Sequence, residues 1–347
     1  MKLRDYIIRR FLLLIPVLIG ISFITFVLTH NIPGYDPASP WMKEKTSAAG
    51  RALIIQQHHL NDPIVLQYVY YLEDLSHLDL GLSSSQGERP VADALAEFFP
   101  ATVELTLTSL FICIFIGIPI GIISAIKKDK WPDHIVRIFS LTGISIPVFW
   151  FALILQYVFY LKLNLLPLGG RLDLGQTPPE FNIPFIPIHS TNLYILDSIL
   201  AGNLTTLGQT LLHLVMPSFC LAFISLAVIA RMTRSSMLEA MTQDYVRTAR
   251  SKGLSEYVVI YKHALRNALI PTTTMIGLLF GGLLSGAVLT ETIFFWPGIG
   301  RYSTSAISSI DYASIMGVTL LIAIIYVLAN LIVDILYAYL DPRIKYG

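Results

Sequence analysis

Six long apolar stretches, separated by polar segments, dominate the hydrophobic pattern of the chain. A helix that crosses the hydrocarbon core of a bilayer needs about 20 apolar residues, and these stretches meet or approach that length. The fourth stretch is the weakest, because Pro217 and small polar residues interrupt it, but a helix packed among neighbours tolerates them. The pattern predicts an all-α polytopic membrane protein with six transmembrane helices. They are predicted at residues 11–30, 101–126, 136–161, 213–230, 269–291 and 313–338.

The composition supports a membrane protein. Of 347 residues, 54% are hydrophobic and only 14% are charged, and the mean hydropathy is +0.65. A soluble domain of this size rarely carries so little charge. The first apolar stretch follows basic residues, as in a secretion signal, but it is long and lacks a small-residue cleavage pattern, so it should remain as an anchor. Cys113 and Cys220 fall inside predicted spans, where they should pack as small apolar residues.

The positions of lysine and arginine predict the orientation. Most of the 24 basic residues lie in alternate connections, namely the N-terminus, residues 127–137, residues 231–268 and the C-terminus. Basic connections stay on the cytoplasmic side of a membrane. Both termini and the 231–268 loop are therefore expected in the cytoplasm.

The other connections are long enough to have structure of their own. The chain is predicted to divide into an N-terminal tail with the first transmembrane helix (1–30), an external loop subdomain (31–100) and a core transmembrane domain (101–347). A helix is expected over residues 62–75. A surface-lying amphipathic helix over residues 195–212 would form an external docking shelf.

The 231–268 loop combines basic residues with residues that typically begin or end helices. Residues 244–250 permit a helix, and Gly253 is a natural break after it. Ser255 and Glu256 can begin a second short helix, which is expected to end near Pro271. Two helices bent at a glycine would make a rigid knob that fits a groove on another protein. An ordinary cytoplasmic loop is equally compatible with this pattern.

Several spaced motifs resemble one family of transporters. Residues 244–254 (Asp-Tyr-Val-Arg-Thr-Ala-Arg-Ser-Lys-Gly-Leu) and 263–271 (His-Ala-Leu-Arg-Asn-Ala-Leu-Ile-Pro) resemble the cytoplasmic loop of ABC importer membrane subunits in the dipeptide/oligopeptide/nickel permease family. Motifs of the same family occur at residues 6–10, 78–83, 291–300 and 333–344. The broader importer motif has Glu-Ala-Ala where residues 247–249 read Arg-Thr-Ala, so one of three letters matches.

The resemblance implies an ABC importer type I permease fold in the plasma membrane of a prokaryote. It also implies a heterodimer with a second homologous permease subunit, two ATP-binding cassette subunits and an external substrate-binding protein, but no nucleic acid. The chain contains no phosphate-binding Gly-x-x-x-x-Gly-Lys-Ser/Thr loop. No cofactor is therefore expected in this chain, and ATP and Mg are expected in the partner ATPases. The family carries peptides, nickel chelates or oligosaccharides, so the substrate stays open.

In that family the loop carries a coupling helix that docks on an ATPase subunit. The implied ATPase-coupling residues here are Arg247, Arg250, Lys252, Gly253, Leu254, Ser255, Glu256, Tyr257 and His263. The alternative is that the basic residues only obey the positive-inside rule, and that interpretation is preferred for Arg231 and Arg234.

Polar groups inside membrane spans are costly and therefore informative. Glu104, Gln156, Glu291 and Asp334 are such groups. Gln156 would either line a translocation path or bond a neighbouring helix. Glu291 would fix the turn at residues 294–300, and Asp334 would pair with a basic loop residue.

Glycines recur at helical spacing in the fifth stretch. Gly277, Gly281, Gly282 and Gly286 give the small-x-x-x-small pattern that lets helices approach closely. Gly277, Gly281 and Gly282 would form a gate or a seam against the partner permease, or they would pack inside the subunit.

No metal site and no enzyme activity are predicted. The adjacent His58 and His59 point to different faces of a helix or strand, and His77 and His189 are scattered. No nucleophile–base arrangement follows from the spacing, so a membrane hydrolase has little support. A secondary, ion-coupled transporter would need an internal repeat or unwound charged elements in mid-span, and neither is evident.

Overall fold

The computed structural model describes residues 3–31, 36–38, 41–42, 46–181 and 190–340. His189 and the predicted C-terminal motif beyond residue 340 lie outside the described residues, as does the side chain of Asp334. The α-helices are α1 (Leu3–His30), α2 (Ala48–Gln57), α3 (Ile64–Ser76), α4 (Val91–Ile112), α5 (Ile118–Ile126), α6 (Trp131–Ser145), α7 (Val148–Leu155), α8 (Tyr194–Leu200), α9 (Leu204–Met241), α10 (Asp244–Ser251), α11 (Glu256–Val258), α12 (Leu265–Ile293), α13 (Ile299–Ser308) and α14 (Tyr312–Leu340). A two-stranded antiparallel ribbon joins β1 (Leu82–Ser83) to β2 (Arg89–Pro90).

Three π-helical turns extend these helices. Cys113–Gly117 joins α4 to α5, Gln156–Lys162 continues α7, and Val259–Ala264 joins α11 to α12. The all-α prediction is confirmed for the described part of the chain. The helix expected over 62–75 is confirmed as α3, which begins directly after Pro63.

Five helical segments of the described chain are long and apolar enough to cross a membrane. They are Leu12–His30, Val91–Ile126, Leu204–Met241, Glu256–Leu284 and Tyr312–Ile332. A sixth crossing exists only if α6 and the α7 segment count together, and these are bent by 108°. The prediction of one helix over residues 136–161 is therefore wrong, although the bent pair that contains these residues is compatible with a broken crossing. Pro147 causes the break, because a proline drives the residue before it out of the helical region, and Ile146 is extended (φ −81°, ψ 125°).

The chain packs around α9, the helix predicted with least support. In its most apolar stretch of 18 residues, 72% of the residues are buried. The helix contacts α4, α5, α6, α7, α8 and α12. Glycines bring the neighbours close: a Cβ at Gly121 of α5 would lie 2.7 Å from the carbonyl oxygen of Ala230. A Cβ at Gly143 of α6 would lie 2.8 Å from the Cβ of Ala227. Small polar residues of α9, such as Ser218, Ser225 and Thr233, are buried against other helices, so they do not prevent this helix from being the centre of the bundle.

Both cysteines pack against this helix system, as predicted. Cys113 and Cys220 are buried free thiols. The Cys113 thiol donates to the carbonyl oxygen of Ala222 at 3.5 Å, and Ser109 donates to that of Ser218 at 3.1 Å. These contacts hold the α4 π-turn to the middle of α9.

A buried carboxylate fixes one end of the bundle. Asp133 of α6 is fully buried and accepts two hydrogen bonds from Arg234 of α9, at 2.6 Å and 2.9 Å. Ser124 of α5 donates to the same carboxylate at 2.6 Å, and the backbone N–H of Asp129 donates at 3.0 Å. The interpretation of Arg234 as a mere positive-inside residue is therefore wrong. This end also carries α10 and is called the loop end below.

At the opposite end, Asp311 fixes the ribbon to the start of α14. The side chains of Ser83 and Ser85 each donate to its carboxylate at 2.6 Å, and Ser314 donates at 2.9 Å. Burial alone would raise the pKa of Asp311, but these hydrogen bonds hold its pKa below the usual range. The ionised carboxylate thus joins β1 to the last helix.

Glu291 fixes the turn after α12, as predicted. Thr102 of α4 donates to its carboxylate at 2.7 Å, and the backbone N–H of Arg301 donates at 3.1 Å. The buried Trp296 in this turn donates its indole N–H to the carbonyl oxygen of Ala101 at 2.8 Å. The turn is therefore bound to α4 as well as to α12.

The prediction of a single amphipathic helix over residues 195–212 is wrong. The chain forms α8, breaks, and starts α9 at Leu204. Gly202 has a left-handed φ of 66°, and the Asn203 side chain caps α9 by accepting from the N–H of Thr206 at 3.1 Å. The second part is therefore the beginning of the central helix.

We expect Asp133→Asn to lower stability by about 2–4 kcal/mol, because it leaves the largely buried Arg234 without a counter-charge. The measurement is the thermal unfolding midpoint of the purified protein in detergent. Asp129→Asn is the control, since that side chain is exposed in the same turn. Equal midpoints for the two variants would contradict the role of this ion pair.

We expect Gly298→Ala to destabilise the turn after α12 by about 1–3 kcal/mol, as overpacking does. A methyl group at this position would collide with the carboxylate of Glu291. Gly208→Ala is the control, because no atom lies within 4 Å of its added methyl group. Thermal midpoints measured in the same detergent compare the two, and an unchanged Gly298→Ala midpoint would argue against the tight turn.

The candidate coupling loop

The loop between α9 and α12 is helical almost throughout. α9 ends at Met241, and α10 begins at Asp244 after Gln243, an N-cap residue in an extended conformation (φ −72°, ψ 152°). Asp244 lies in the first turn of α10 and Arg250 in its last turn. These charges oppose the partial charges at the two helix ends and so favour the helix.

The predicted bend at Gly253 is confirmed. Gly253 has a φ of +74°, a left-handed conformation that costs other residues about 1–2 kcal/mol. No atom lies within 4 Å of a Cβ built on it, so the constraint is the backbone angle and not the available space. Ser255 then caps the second helix in an extended conformation (φ −62°, ψ 146°).

The second helix does not stop near Pro271, and that prediction is wrong. It runs from Glu256 through the π-turn directly into α12, with Pro271 inside the helix. Neighbouring helices and local π-turns compensate for the hydrogen bond that a proline removes. Residue 256 and the membrane-crossing part of α12 therefore belong to one continuous rod.

A buried apolar base holds α10 in place. Val246 and Ala249, one turn apart on α10, are 0% and 5% exposed. They belong to a cluster built from α5, α9 and the start of α12. The other buried members are Ile122, Ala125, Met237, Ala240, Val259, Ala264 and Ala268. Residues 244–257 thus form a packed knob. Its docking on another protein, as against an ordinary cytoplasmic loop, stays a prediction.

An ion pair spans the bend. Arg250 Nε donates to Glu256 Oε1 at 2.8 Å, and Nη2 donates to Oε2 at 3.4 Å. Both side chains are substantially exposed, so the pair contributes at most about 1 kcal/mol. Its effect is to orient α10 relative to α11.

The knob exposes aromatic and apolar side chains. Tyr257 is 71% exposed and its ring centroid lies 4.7 Å from that of Tyr261. Leu254 in the turn is also exposed. Exposed tyrosines are typical anchors of protein interfaces. Tyr261 was not among the predicted residues, although its i+4 spacing from Tyr257 places it on the same helix face.

The structure groups most of the predicted coupling residues at the bend. Lys252 and Ser255 are exposed there beside Gly253 and Leu254, and Arg247 is exposed on α10. His263 is different, because it is half-buried in the π-turn, about two helical turns beyond Glu256. It lies in the rod behind the knob.

The predicted path residues have contacts within the chain. Gln156 donates its amide to the carbonyl oxygens of Leu168 at 3.1 Å and Ile293 at 3.0 Å, which agrees with helix bonding. A Cβ at Gly281 would lie 3.4 Å from the ring of Tyr326 on α14, so Gly281 packs inside the subunit. Gly282 is exposed with open space beside it, and Gly277 is half-buried.

Glu104 is a structural group. Its carboxylate accepts from Arg171 at 2.5 Å and from the backbone N–H of Ile195 at 2.7 Å. The Arg171 guanidinium also stacks on Tyr194, 3.4 Å from the ring centroid. This pair ties the segment before α8 to α4, opposite the loop end. Among the described residues, no group of three or more His, Cys, Asp or Glu side chains could hold a metal ion.

Two family models together match nearly the whole chain. A model described as binding-protein-dependent transport system inner membrane component matches residues 117–346. Its companion, described as the N-terminal part of such a membrane component, matches residues 3–106.

Similar proteins are transport permeases by name. The dipeptide transport system permease protein of Alkalihalophilus pseudofirmus is 46% identical over 341 residues, covering 98% of this chain and 99% of that protein. A probable D,D-dipeptide transport system permease protein of Escherichia coli is 45% identical over 334 residues, covering 96% and 95%. The oligopeptide transport system permease protein of Bacillus subtilis is 39% identical over 341 residues, covering 98% and 99%. The chain belongs to the family of binding-protein-dependent transport system inner membrane components.

Proposed function

We propose that this permease imports dipeptides or oligopeptides and that its knob, residues 244–257, receives the force of ATP-driven partner subunits. The observation that carries the proposal is how the knob is held in place and what it is connected to. The knob is packed on a buried base and is continuous with the rod that enters the membrane. The names of the similar proteins support a peptide substrate.

The energy source lies outside this chain. Its sequence contains no phosphate-binding loop of the Gly-x-x-x-x-Gly-Lys-Ser/Thr type. ATP and Mg bind to two ATP-binding cassette subunits, and this chain is a transport subunit that binds no cofactor and is not an enzyme. A second homologous permease completes the translocation path as a heterodimer, and an external binding protein delivers the substrate.

The knob passes motion to the spans through its packing. Val246 and Ala249 are wedged against the ends of α5 and α9, so α10 cannot tilt without moving them. Closure of the ATPases pushes the knob, and α9 and α12 rock with it. The cavity between the two permeases then switches sides, which is alternating access.

The orientation follows from the basic residues. Both termini and the knob face the cytoplasm of a prokaryote, with six crossings of the plasma membrane in which α6 and α7 form one broken crossing. Residues 31–100 form an external subdomain between the first helix (1–30) and the core (101–347). The ribbon that Asp311 holds lies on that external side.

The exposed chemistry of the knob suits a groove with acidic and apolar walls. Arg247 is 74% exposed, and its contact with Asp244, at 3.6 Å, is a weak surface pair. Lys252 is exposed in the turn, and Tyr257 presents an aromatic ring nearby in sequence. An ATPase surface that receives the knob needs carboxylates for the cations and an apolar pocket for the ring.

We expect Gly253→Val to reduce ATP-driven uptake at least tenfold, because a β-branched residue resists the left-handed φ that aims the knob. Gly253→Asn is the matched control, since asparagine tolerates this conformation, and it should retain most uptake. The measurement is substrate uptake and ATP hydrolysis by the reconstituted complex. Normal uptake with Gly253→Val would rule out the bend as a coupling element.

We expect Tyr257→Ala to weaken association with the ATPase subunits by about tenfold, the cost of truncating one interface anchor. Tyr257→Phe keeps the ring and should associate normally. Titration of ATPase subunits onto the immobilised permease pair measures both. If Tyr257→Ala binds like the wild type, the aromatic pair is not part of the docking surface.

A further inference from the structure

A tight turn at the loop end gathers three lysines. The lysine turn, residues 127–131, connects α5 to α6, and Lys127, Lys128 and Lys130 are all exposed. The backbone N–H of Lys130 donates to the carbonyl oxygen of Lys127 at 3.0 Å, and that of Lys128 donates to Ala125 at 3.3 Å. Asp129 takes a left-handed φ of 59° between them. The turn therefore concentrates positive charge within a few ångströms of backbone.

The lysines have no acidic partner in the described part of the chain. The carboxylate of Asp133, which follows the turn in sequence, is fully buried and bound by Arg234 and Ser124. Arg137 lies 3.8 Å from the same carboxylate. Within the turn, the one acidic residue is Asp129. Three lysines against one aspartate leave the turn with a net positive charge that an anion from outside the protein can neutralise.

An apolar stripe begins at this turn. Trp131, the first residue of α6, is 74% exposed. Ile135, Ile138 and Leu141 follow at helical spacing on the same face and are 50%, 64% and 65% exposed, whereas Val136 on the other face is buried. A tryptophan at the end of an exposed apolar stripe is the arrangement found where a helix leaves the hydrocarbon for the headgroup region.

We propose that the lysine turn and this stripe bind an anionic phospholipid. The lysines hold the phosphate and anionic headgroup, Trp131 lies at the level of the glycerol, and an acyl chain lies along Ile135 and Ile138. The positively charged turn and the apolar stripe form one continuous surface. A lipid can cover both parts, whereas a soluble phosphate would leave the apolar stripe uncovered. This surface also selects a lipid over a water-soluble protein, because such a protein cannot follow the stripe into the membrane.

The bound lipid acts on the base of the coupling loop. Asp133, immediately behind the turn, is joined to Arg234, and α9 ends a few residues later at Met241. A lipid that neutralises the lysines relieves their mutual repulsion and stabilises this corner. This consequence uses the packing of the loop end and holds for any transported substrate.

The test uses the complete importer complex in vesicles that contain brominated lipids, which quench nearby tryptophan fluorescence. The signal of Trp131 is the difference between the wild type and Trp131→Phe. We expect brominated phosphatidylglycerol diluted into phosphatidylcholine to quench this signal at much lower mole fractions than brominated phosphatidylcholine does.

The triple variant Lys127→Gln/Lys128→Gln/Lys130→Gln should lose that preference by on the order of 100-fold, given about fivefold for each lysine near an anionic surface. The triple variant with arginine at the same positions keeps the charge and should keep the preference. Equal quenching by the two lipids in the wild type, or an unchanged preference in the glutamine variant, would overturn the proposal.

Two further measurements distinguish an anionic phospholipid from a soluble anion and from a protein at this site. If millimolar inorganic phosphate abolishes the preference, the turn is a site for soluble anions and the lipid proposal fails. If the glutamine variant keeps its lipid preference but loses ATPase subunits on purification, the turn is a protein contact, and the proposal fails as well.

Discussion

Close packing against α9 is the constraint on which the rest of this structure depends. Gly121 and Gly143 allow α5 and α6 to approach the backbone of α9 more closely than any larger residue would permit. Because the interior face of α9 must accept these neighbours, small residues such as Ser218, Ala227 and Ala230 lie among its buried apolar side chains. The same helix ends two residues before α10. The knob is therefore rooted in the most buried of the membrane-length helices that the structure describes.

Buried carboxylates complete this framework at both ends. Asp133 joins α5, α6 and α9 at the loop end, while Glu104 and Glu291 join α4 to the segment before α8 and to the turn after α12 at the other. A charge in such surroundings is costly unless it is paired, so each acid has several donors. The helices are thus joined by ion pairs and hydrogen bonds at both ends and packed against α9 between them. The rocking motion proposed above requires such joined helices, because they must move together.

Much of this architecture could be predicted from the sequence, because span length, charge asymmetry and a glycine break are local features. The prolines show where local reasoning stops: Pro147 breaks a span, whereas Pro217 and Pro271 lie inside continuous helices. Whether a proline breaks a helix depends on neighbours that compensate for the lost hydrogen bond. The pairing of Asp133 with Arg234, far apart in sequence, was likewise invisible. The bend at Gly253 was predictable, but the base under Val246 and the exposure of Tyr261 required the packed structure.

The central claim is that the knob touches an ATPase subunit and moves with it. The most direct measurement replaces Lys252 with a photoreactive amino acid in the complete complex and identifies the cross-linked partner with and without ATP. The account predicts a cross-link to the ATP-binding subunit whose yield changes when ATP is bound. A cross-link only to the external binding protein, or none to the ATP-binding subunit in either state, would contradict it.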